Sequence, residues 1–368
     1  MIAHLNVTIL EEIKEFAALE EQWEELYRSC PAATPFQSWA WLYSWWEHFE
    51  EGYELRVVAV RSGSLLVGVL PLMLQRRFGV KRLLFIGTGE TDYLDLLVRE
   101  GWEREVTEAG VRSLRQLGHW QVADLQELRP EALAWGLFSG WEGPRIRRWQ
   151  INCPIIGAKP WDEVLARLSK NLRSTARRAV RRAEKDGVRR ELVEAEDAEE
   201  AAHRLVALHR EAWRGREIDP NNLTETYESY MVAAMRRMIA RRLGEIGEYR
   251  RDGEVIISHF VIFGRNFIGA YVLGATQEAM KRYQVSTLEI WSLLSEALGR
   301  KDDYIDMLRG EELYKMRWSD RLIHNHRIIL GRRLLPWSLY TGYLILRSKY
   351  PNGIPWKVES AMRQLRKH

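Results

Sequence analysis

Cysteine is nearly absent: Cys30 and Cys153 are the only two, and neither belongs to a Cys-x-x-Cys or to a Cys/His cluster at metal-ligand spacing. A disulfide framework and a structural zinc site are therefore not expected, and a reducing compartment fits. Long hydrophobic runs are also missing. The longest nearly uncharged stretch, Leu334 to Leu346, falls short of the roughly 20 residues that cross a bilayer, so it can touch a membrane but not span one. No basic leader with an apolar run and a small-residue cleavage site stands at Met1–Val7, so nothing there reads as a signal peptide and the expected location is the cytoplasm. A net charge of +4 is too small to imply nucleic acid by itself, because charge acts through clusters. With 46% hydrophobic and 29% charged residues the composition is ordinary globular, which leaves no room for a long disordered segment.

What is present reads as two α/β units, since 368 residues exceed a typical single domain. Apolar residues at Ile13, Phe16, Leu19, Trp23, Leu26 and Tyr27 have the three-and-four spacing of one helix face over Ile9–Tyr27. An aromatic helix follows Pro35, carrying Trp39, Trp41, Trp45 and Trp46. Its indoles fit either a buried core or a groove wall for a sugar or acyl group. Leu55–Val60 and Leu65–Leu74 form a hairpin around Ser62-Gly63-Ser64. Strands are expected at Arg82–Ile86, Tyr93–Val98 and Trp120–Leu125, with a helix over Glu103–Leu117.

The second half repeats the order. A strand at Arg147–Ile156 precedes helices near Trp161–Ser169, Asn171–Asp186, Glu196–Arg214 and Thr224–Arg242. Strands Glu245–Arg251, Val255–Phe263 and Phe267–Leu273 follow, the first pair turning through Asp252-Gly253. Arg61-Ser62-Gly63 and Arg251-Asp252-Gly253 stand 251 − 61 = 190 residues apart, about half the chain, as an internal duplication would place them. The expected fold class is α/β (α+β), with tandem domains at 1–145 and 146–330. Each is a mixed, mostly antiparallel sheet flanked by helices, and a helical tail covers 331–368.

Two segments concentrate charge. In Asn171–Asp186, Arg173, Arg177 and Arg181 share one helix face, opposite a stripe of Ala176, Val180 and Ala183. The cations form either a solvated face or a site for an anionic ligand, to which Arg177 and Arg181 would contribute forked donors. The tail carries Arg332, Arg333, Arg347, Lys349, Lys357, Arg363, Arg366 and Lys367 against Glu359 alone, interleaved with aromatics. It reads as a packed helix with a solvated basic face or as a peripheral membrane contact.

The stretch Phe267–Trp318 carries the chemistry. A strand ends at Gly274, a loop runs from Ala275 to Gln284, a helix begins at Val285, and a strand at Tyr304–Leu308 leads into Arg309-Gly310-Glu311-Glu312-Leu313-Tyr314-Lys315. A helix start offers free amides and a favourable dipole to an anion. Ser286 and Thr287 add hydroxyls. Asp306 ends a strand, where open α/β sheets place ligands. His259, in a strand with Ile257 and Phe260, is either a titrating catalytic group or a hydrogen-bonded core histidine.

Here the sequence resembles a known group. Tyr283 through Glu289, then Asp306-Met307-Leu308-Arg309-Gly310-Glu311-Glu312 and Tyr314-Lys315-x-Arg317-Trp318, resemble the C-terminal signature of CelD/BcsL-type acetyltransferases of the GNAT superfamily, which are related to the FemAB peptidyltransferases. Pro35-Phe36-Gln37-Ser38-Trp39-x-Trp41, Val67–Leu72 and Asp92-Tyr93-Leu94-Asp95 look like that group's first domain, so the likeness covers roughly 20–330. Where the group usually has a glycine-containing turn, this chain has Gln284-Val285-Ser286-Thr287.

The resemblance implies two tandem GNAT-like domains and acyl transfer from acetyl-CoA or another acyl-CoA, without a metal. The acceptor would be an amine or hydroxyl of a small molecule or a glycan precursor of the cell envelope or exopolysaccharide. Candidate catalytic residues are Asp306, Glu289, His259 and Tyr314. Tyr283, Gln284, Val285, Ser286, Thr287, Lys315 and Arg309 would hold the donor, and Trp39, Trp41, Asp92, Tyr93, Arg177 and Arg181 the acceptor. Two other functions stand beside this one. One is Fem-like aminoacyl transfer with charged tRNA on the arginine helix; the other is a non-catalytic scaffold in polysaccharide assembly.

Overall fold

The computed structural model describes residues 5–77, 79–212 and 224–349. In chain order its first part runs β1 (Leu5–Leu10), α1 (Ile13–Ala18), α2 (Glu20–Ser29), a 3-10 turn (Pro35–Gln37), α3 (Trp39–Phe49), β2 (Tyr53–Ser62), β3 (Leu65–Arg77), β4 (Val80–Phe85), β5 (Leu97–Val98), α4 (Glu103–Gln116), β6 (Val122–Leu128), α5 (Trp135–Gly140) and β7 (Arg145–Gly157). It continues with α6 (Trp161–Ala166), α7 (Lys170–Lys185), β8 (Arg189–Leu192), α8 (Ala198–Ala212), α9 (Glu225–Ala240), β9 (Gly244–Arg251), β10 (Glu254–Phe263), β11 (Phe267–Ala275), α10 (Gln277–Arg282), α11 (Val285–Arg300), β12 (Tyr304–Asp306), α12 (Leu313–Trp318), β13 (Arg321–Gly331) and α13 (Leu334–Lys349).

These elements form two compact units that are not contiguous in sequence. Unit 1 collects residues 1–32, 50–150 and 326–368, and unit 2 collects 33–49 and 151–325. The expected boundary at 145/146 falls inside β7; of the expected tail, 331–349 groups with unit 1 and 350–368 lies outside the described residues. In unit 1 the strand order is β1-β2-β3-β4-β6-β13, with β5 on β3; in unit 2 it is β8-β9-β10-β11-β12-β7. Only one neighbouring pair in each is parallel, β4 with β6 and β11 with β12, and the other ladders are antiparallel. The two halves therefore share one topology, and the sixth strand of each comes from a distant stretch of chain. Equivalent hairpins turn at Gly63 (φ +60°) and at Asp252-Gly253 (φ +53° and +85°), where the left-handed backbone matches the strand twist.

Several sequence expectations shift. Ile9 and Leu10 belong to β1, which pairs with β2, and the expected single helix breaks at Leu19, the C-cap of α1 and N-cap of α2. A local helical period cannot register a pairing partner fifty residues away. Of Tyr93–Val98 only Leu97–Val98 is strand, and Asp92, Tyr93 and Asp95 are buried in the loop before it. The Ala275–Gln284 loop contains α10, capped by the Thr276 hydroxyl, which accepts from the Ala279 amide at 3.1 Å. The edge strand β8 and the strand β13 complete the sheets without having been marked in the sequence.

The aromatic helix α3 packs in unit 2, against α9 and β11. Trp41 meets Tyr230 and Tyr271 edge-on, with ring centroids 5.4 and 5.1 Å away, and Trp39 stacks on Tyr43 at 4.2 Å under the Arg237 guanidinium. These rings are core and bury most of their area, which is the larger part of what holds α3 in place.

Candidate functional site

The parallel pair β11/β12 is short. Phe267, Ile268 and Gly269 face Tyr304, Ile305 and Asp306, and there the ladder ends while β11 runs on to Ala275. Beyond Gly269 that edge of β11 is left without β12 as a partner. After β11 the chain passes through α10 into α11, whose Gln284 N-cap provides no side-chain hydrogen bond and whose first turn contains no acid. As its first two residues, Val285 and Ser286 have amides with no intrahelical acceptor. Val285 and Thr287 are buried, whereas Gln284 is exposed and Ser286 half-buried. The approach to this helix start thus runs past Gln284 and Ser286.

The segment after β12 is held tightly. Asp306, fully buried, accepts from the Leu308 amide at 2.9 Å, which supports the left-handed backbone of Leu308 (φ +58°). Lys315 donates to the carbonyl of Arg309 at 2.8 Å and pairs with Glu312 at 3.2 Å, so its ammonium closes its own loop. The Gly310 amide donates to the Asn152 carbonyl at 3.1 Å. Tyr283 is buried too: its hydroxyl donates to Asp186 at 2.9 Å and ties the end of α7 to the loop before α11. Hydrogen bonds from Arg282 and Tyr283 hold the Asp186 carboxyl down at about 2. Arg177 pairs with Asp162 at 2.9 Å on the surface, and Arg181 is exposed one turn further on. Asp92 and Tyr93 belong to unit 1.

A buried titratable cluster lies between the sheet of unit 2 and α11. His259 of β10 is fully buried, and its Nε2 accepts from Arg190 Nε at 3.0 Å. A guanidinium only donates, so the imidazole proton sits on Nδ1, which lies 3.6 Å from the Glu289 carboxylate of α11. Burial pushes the histidine below its ordinary range. Glu289 opposes this and Arg190 adds to it, so the ring is neutral. Arg190 also reaches Glu245 at 2.6 Å and Glu296 at 2.9 Å. Burial, then the neighbouring Glu245 carboxylate, push Glu296 up to about 7. Tyr249 stands edge-on to His259 with its hydroxyl 2.5 Å from Ser292. Tyr314 of α12 lies outside this buried set, 37% exposed, and partial burial of its hydroxyl with the carboxylates of Glu289 and Glu312 pushes it up.

Gly247 makes this packing possible. It faces His259 across the β9/β10 ladder, and a Cβ there would lie 2.3 Å from His259 Nε2 and 2.7 Å from Arg190 Nε. Of the expected catalytic residues the structure thus gathers His259 and Glu289, while Asp306 is held in the turn after β12 and Tyr314 is exposed on α12. Arg190, Glu245, Tyr249 and Glu296 join His259 and Glu289 from β8, β9 and α11. No motif marked these four; their only signal was the glycine in a strand, which points to a close approach.

Residues 170–316 match the family model of an acetyltransferase (GNAT) domain. This GNAT segment runs from α7 to α12 and includes the whole cluster and the β11/β12 split. No curated protein matches the chain. Among solved structures the chain is similar to FemX (11% identity, TM-score 0.60, covering 91% of this chain and 99% of that one). It is also similar to L-PGS from Bacillus licheniformis (12%, TM-score 0.58, 86% and 94%). A third is the C-terminal domain of a putative lysylphosphatidylglycerol synthetase from Agrobacterium fabrum (10%, TM-score 0.56, 90% and 96%). At such identities the likeness is one of fold, which is GNAT-type and mixed α/β. Among the described residues no group of three or more His, Cys, Asp or Glu is placed to hold a metal.

Proposed function

We propose that unit 2 transfers an acyl group from a CoA-type thioester to an amine or hydroxyl acceptor. The observation that carries this reading is the early split of β11 from β12 beside a helix start free of acidic residues. The stretch of β11 beyond Gly269, which β12 does not reach, offers backbone N–H and C=O groups to the amides of a pantetheine arm, apart from the Leu273 carbonyl, which His209 Nδ1 engages at 2.9 Å. The amides of Val285 and Ser286, with the α11 dipole, suit a pyrophosphate. The match over residues 170–316 to an acetyltransferase domain supports the same chemistry.

In this reading Glu289 is the general base and His259 positions it, because Nε2 of His259 already accepts from Arg190 and its Nδ1 faces the Glu289 carboxylate at 3.6 Å. The acceptor nitrogen or oxygen attacks the thioester carbonyl carbon and its proton passes to Glu289. The C–S bond then breaks and the thiolate leaves with a proton. The resemblance to CelD/BcsL-type proteins supports a cell-envelope or exopolysaccharide precursor as acceptor. Thermal unfolding with acetyl-CoA and with longer acyl-CoAs tests the donor. A ligand at a hundredfold its Kd should add about 2.7 kcal/mol, and no stabilisation by any of these thioesters would overturn the proposal.

A second reading rests on α7, where Lys170, Arg178, Arg181 and Lys185 line the exposed face. This face suits the phosphates of a charged tRNA, as the Fem resemblance implies. Salt-dependent tRNA binding lost in the Arg177→Glu/Arg181→Glu variant supports that donor; tRNA binding unchanged in the variant sinks it.

A further inference from the structure

Helix α13 is apolar on its outer side as well as on its inner one. Its inner side is fixed to the sheet of unit 1: the Tyr340 hydroxyl donates to buried Asp124 at 2.5 Å, and Trp337 Nε1 donates to the Ile329 carbonyl at 3.2 Å. Trp337, Tyr340 and Leu344 pack with Val122 and Ile329. A helix docked in this way ordinarily turns polar residues outward. Here Leu334, Leu335 and Leu339 are 66, 70 and 41% exposed. Leu335, Leu339, Gly342 and Leu346 follow one another at the spacing of a single stripe along the helix.

Charge accompanies this stripe at both ends. Arg332 and Arg333 precede the helix and are exposed, and Arg347 and Lys349 stand in its last turn. No acidic residue occurs between Asp320 and Glu359. Sixteen residues make a rod of about 24 Å, too short to cross a bilayer but suited to lying in its surface. We infer that this face of α13 docks on an anionic lipid surface, with its leucines in the acyl boundary and its flanking cations against the headgroups. The cations also argue against a second copy of the chain as the occupant, because pairing two such faces in either direction brings like charges together.

Co-sedimentation of the full chain with vesicles of phosphatidylcholine alone, and with phosphatidylglycerol in equal part, tests this. The chain should pellet with the anionic vesicles, less so as salt rises. Leu335→Glu/Leu339→Glu should lower the partition by about tenfold or more, and Arg333→Glu should weaken it on anionic vesicles only. These side chains are at the surface, so the thermal midpoint should hold; if the glutamate pair unfolds, Leu335→Gln replaces it in the same assay. No partition into anionic vesicles overturns the inference, as does partition that ignores all three substitutions. So would light scattering that shows these substitutions dissociating a dimer while vesicle binding is absent.

Discussion

The two units carry the same strand order and use buried charge in opposite ways. In unit 1, Asp124 of β6 is closed on every side. Arg327 grips both carboxylate oxygens, Tyr340 donates to one of them, and Arg82 stands 4.0 Å away. In unit 2 the strand equivalent to β6 is β12, and its aspartate, Asp306, accepts from the Leu308 amide of the turn that follows. The charge there has moved to α11 and the far strands, where Glu296 and Glu245 share Arg190 and Glu289 stands 3.6 Å from a histidine whose Nδ1 lacks a close acceptor. The helices that lead into the parallel strands β6 and β12 differ likewise: α4 begins with Glu103 and Glu105 in its first turn, and α11 has no acid there. A satisfied network stabilises and a partly satisfied one remains chemically available, so on the proposed reading the same topology holds a structural unit and a reactive one.

The largest effect should come from Asp124→Ala. It leaves Arg327 and Arg82 buried without their counter-charge and should cost about 3–5 kcal/mol of unfolding free energy in denaturant titration. A loss below about 1 kcal/mol would mean that the cluster is not the clamp of unit 1. Glu289→Gln is expected to slow acyl transfer by about a hundredfold or more at nearly unchanged thermal midpoint. An equal loss of rate and stability would reduce Glu289 to a structural role. Ser286→Glu, which copies the acidic helix start of α4, should weaken thioester binding by up to about tenfold through the helix dipole. Glu105→Gln in α4 should leave binding unchanged, and equal responses at the two helices would erase the distinction between the units.

The smallest effects are in pH dependence, and their signs oppose. Burial alone would push Asp124 up, but the charge and hydrogen bonds of Arg327, with Tyr340 and Arg82, outweigh it and hold the carboxyl below its ordinary range. Its stabilisation is present above an unfolded value near 4 (about 3.9) and is lost as pH falls further, through the folded value. Glu296, raised to about 7, contributes stability that is complete below its unfolded value and is lost as pH rises towards 7. Stability measured from pH 4 to 8 in Glu296→Gln should lack that decline. Asp95 of unit 1, raised to about 7 by burial, shares this sign and stays in both proteins as the reference.

Much of the secondary structure was legible because hydrophobic period and turn chemistry are local. The β2/β3 and β9/β10 hairpins, α4, α7, α9 and α11 lie where their apolar spacing places them. β1 and β8, the equivalent edge strands of the two units, escaped because a short half-exposed strand has little period of its own and is defined by its neighbour. At the site, the sequence pointed to His259 and Glu289 separately. Arg190 looked like one more cation in a basic run, and only the close approach over Gly247 joins it to the histidine.

The sequence by itself determined the α/β class, the doubled element order and the helix start at Val285, since periodicity and glycine turns are written into neighbouring residues. Only the tertiary structure decided that residues 33–49 pack in unit 2 and that 326–331 complete the sheet of unit 1. It also decided which carboxylate is locked by two arginines and which faces a neutral histidine. Those outcomes depend on contacts between side chains as far apart as Asp124 and Arg327, and no local pattern encodes which distant partner will fill a buried valence.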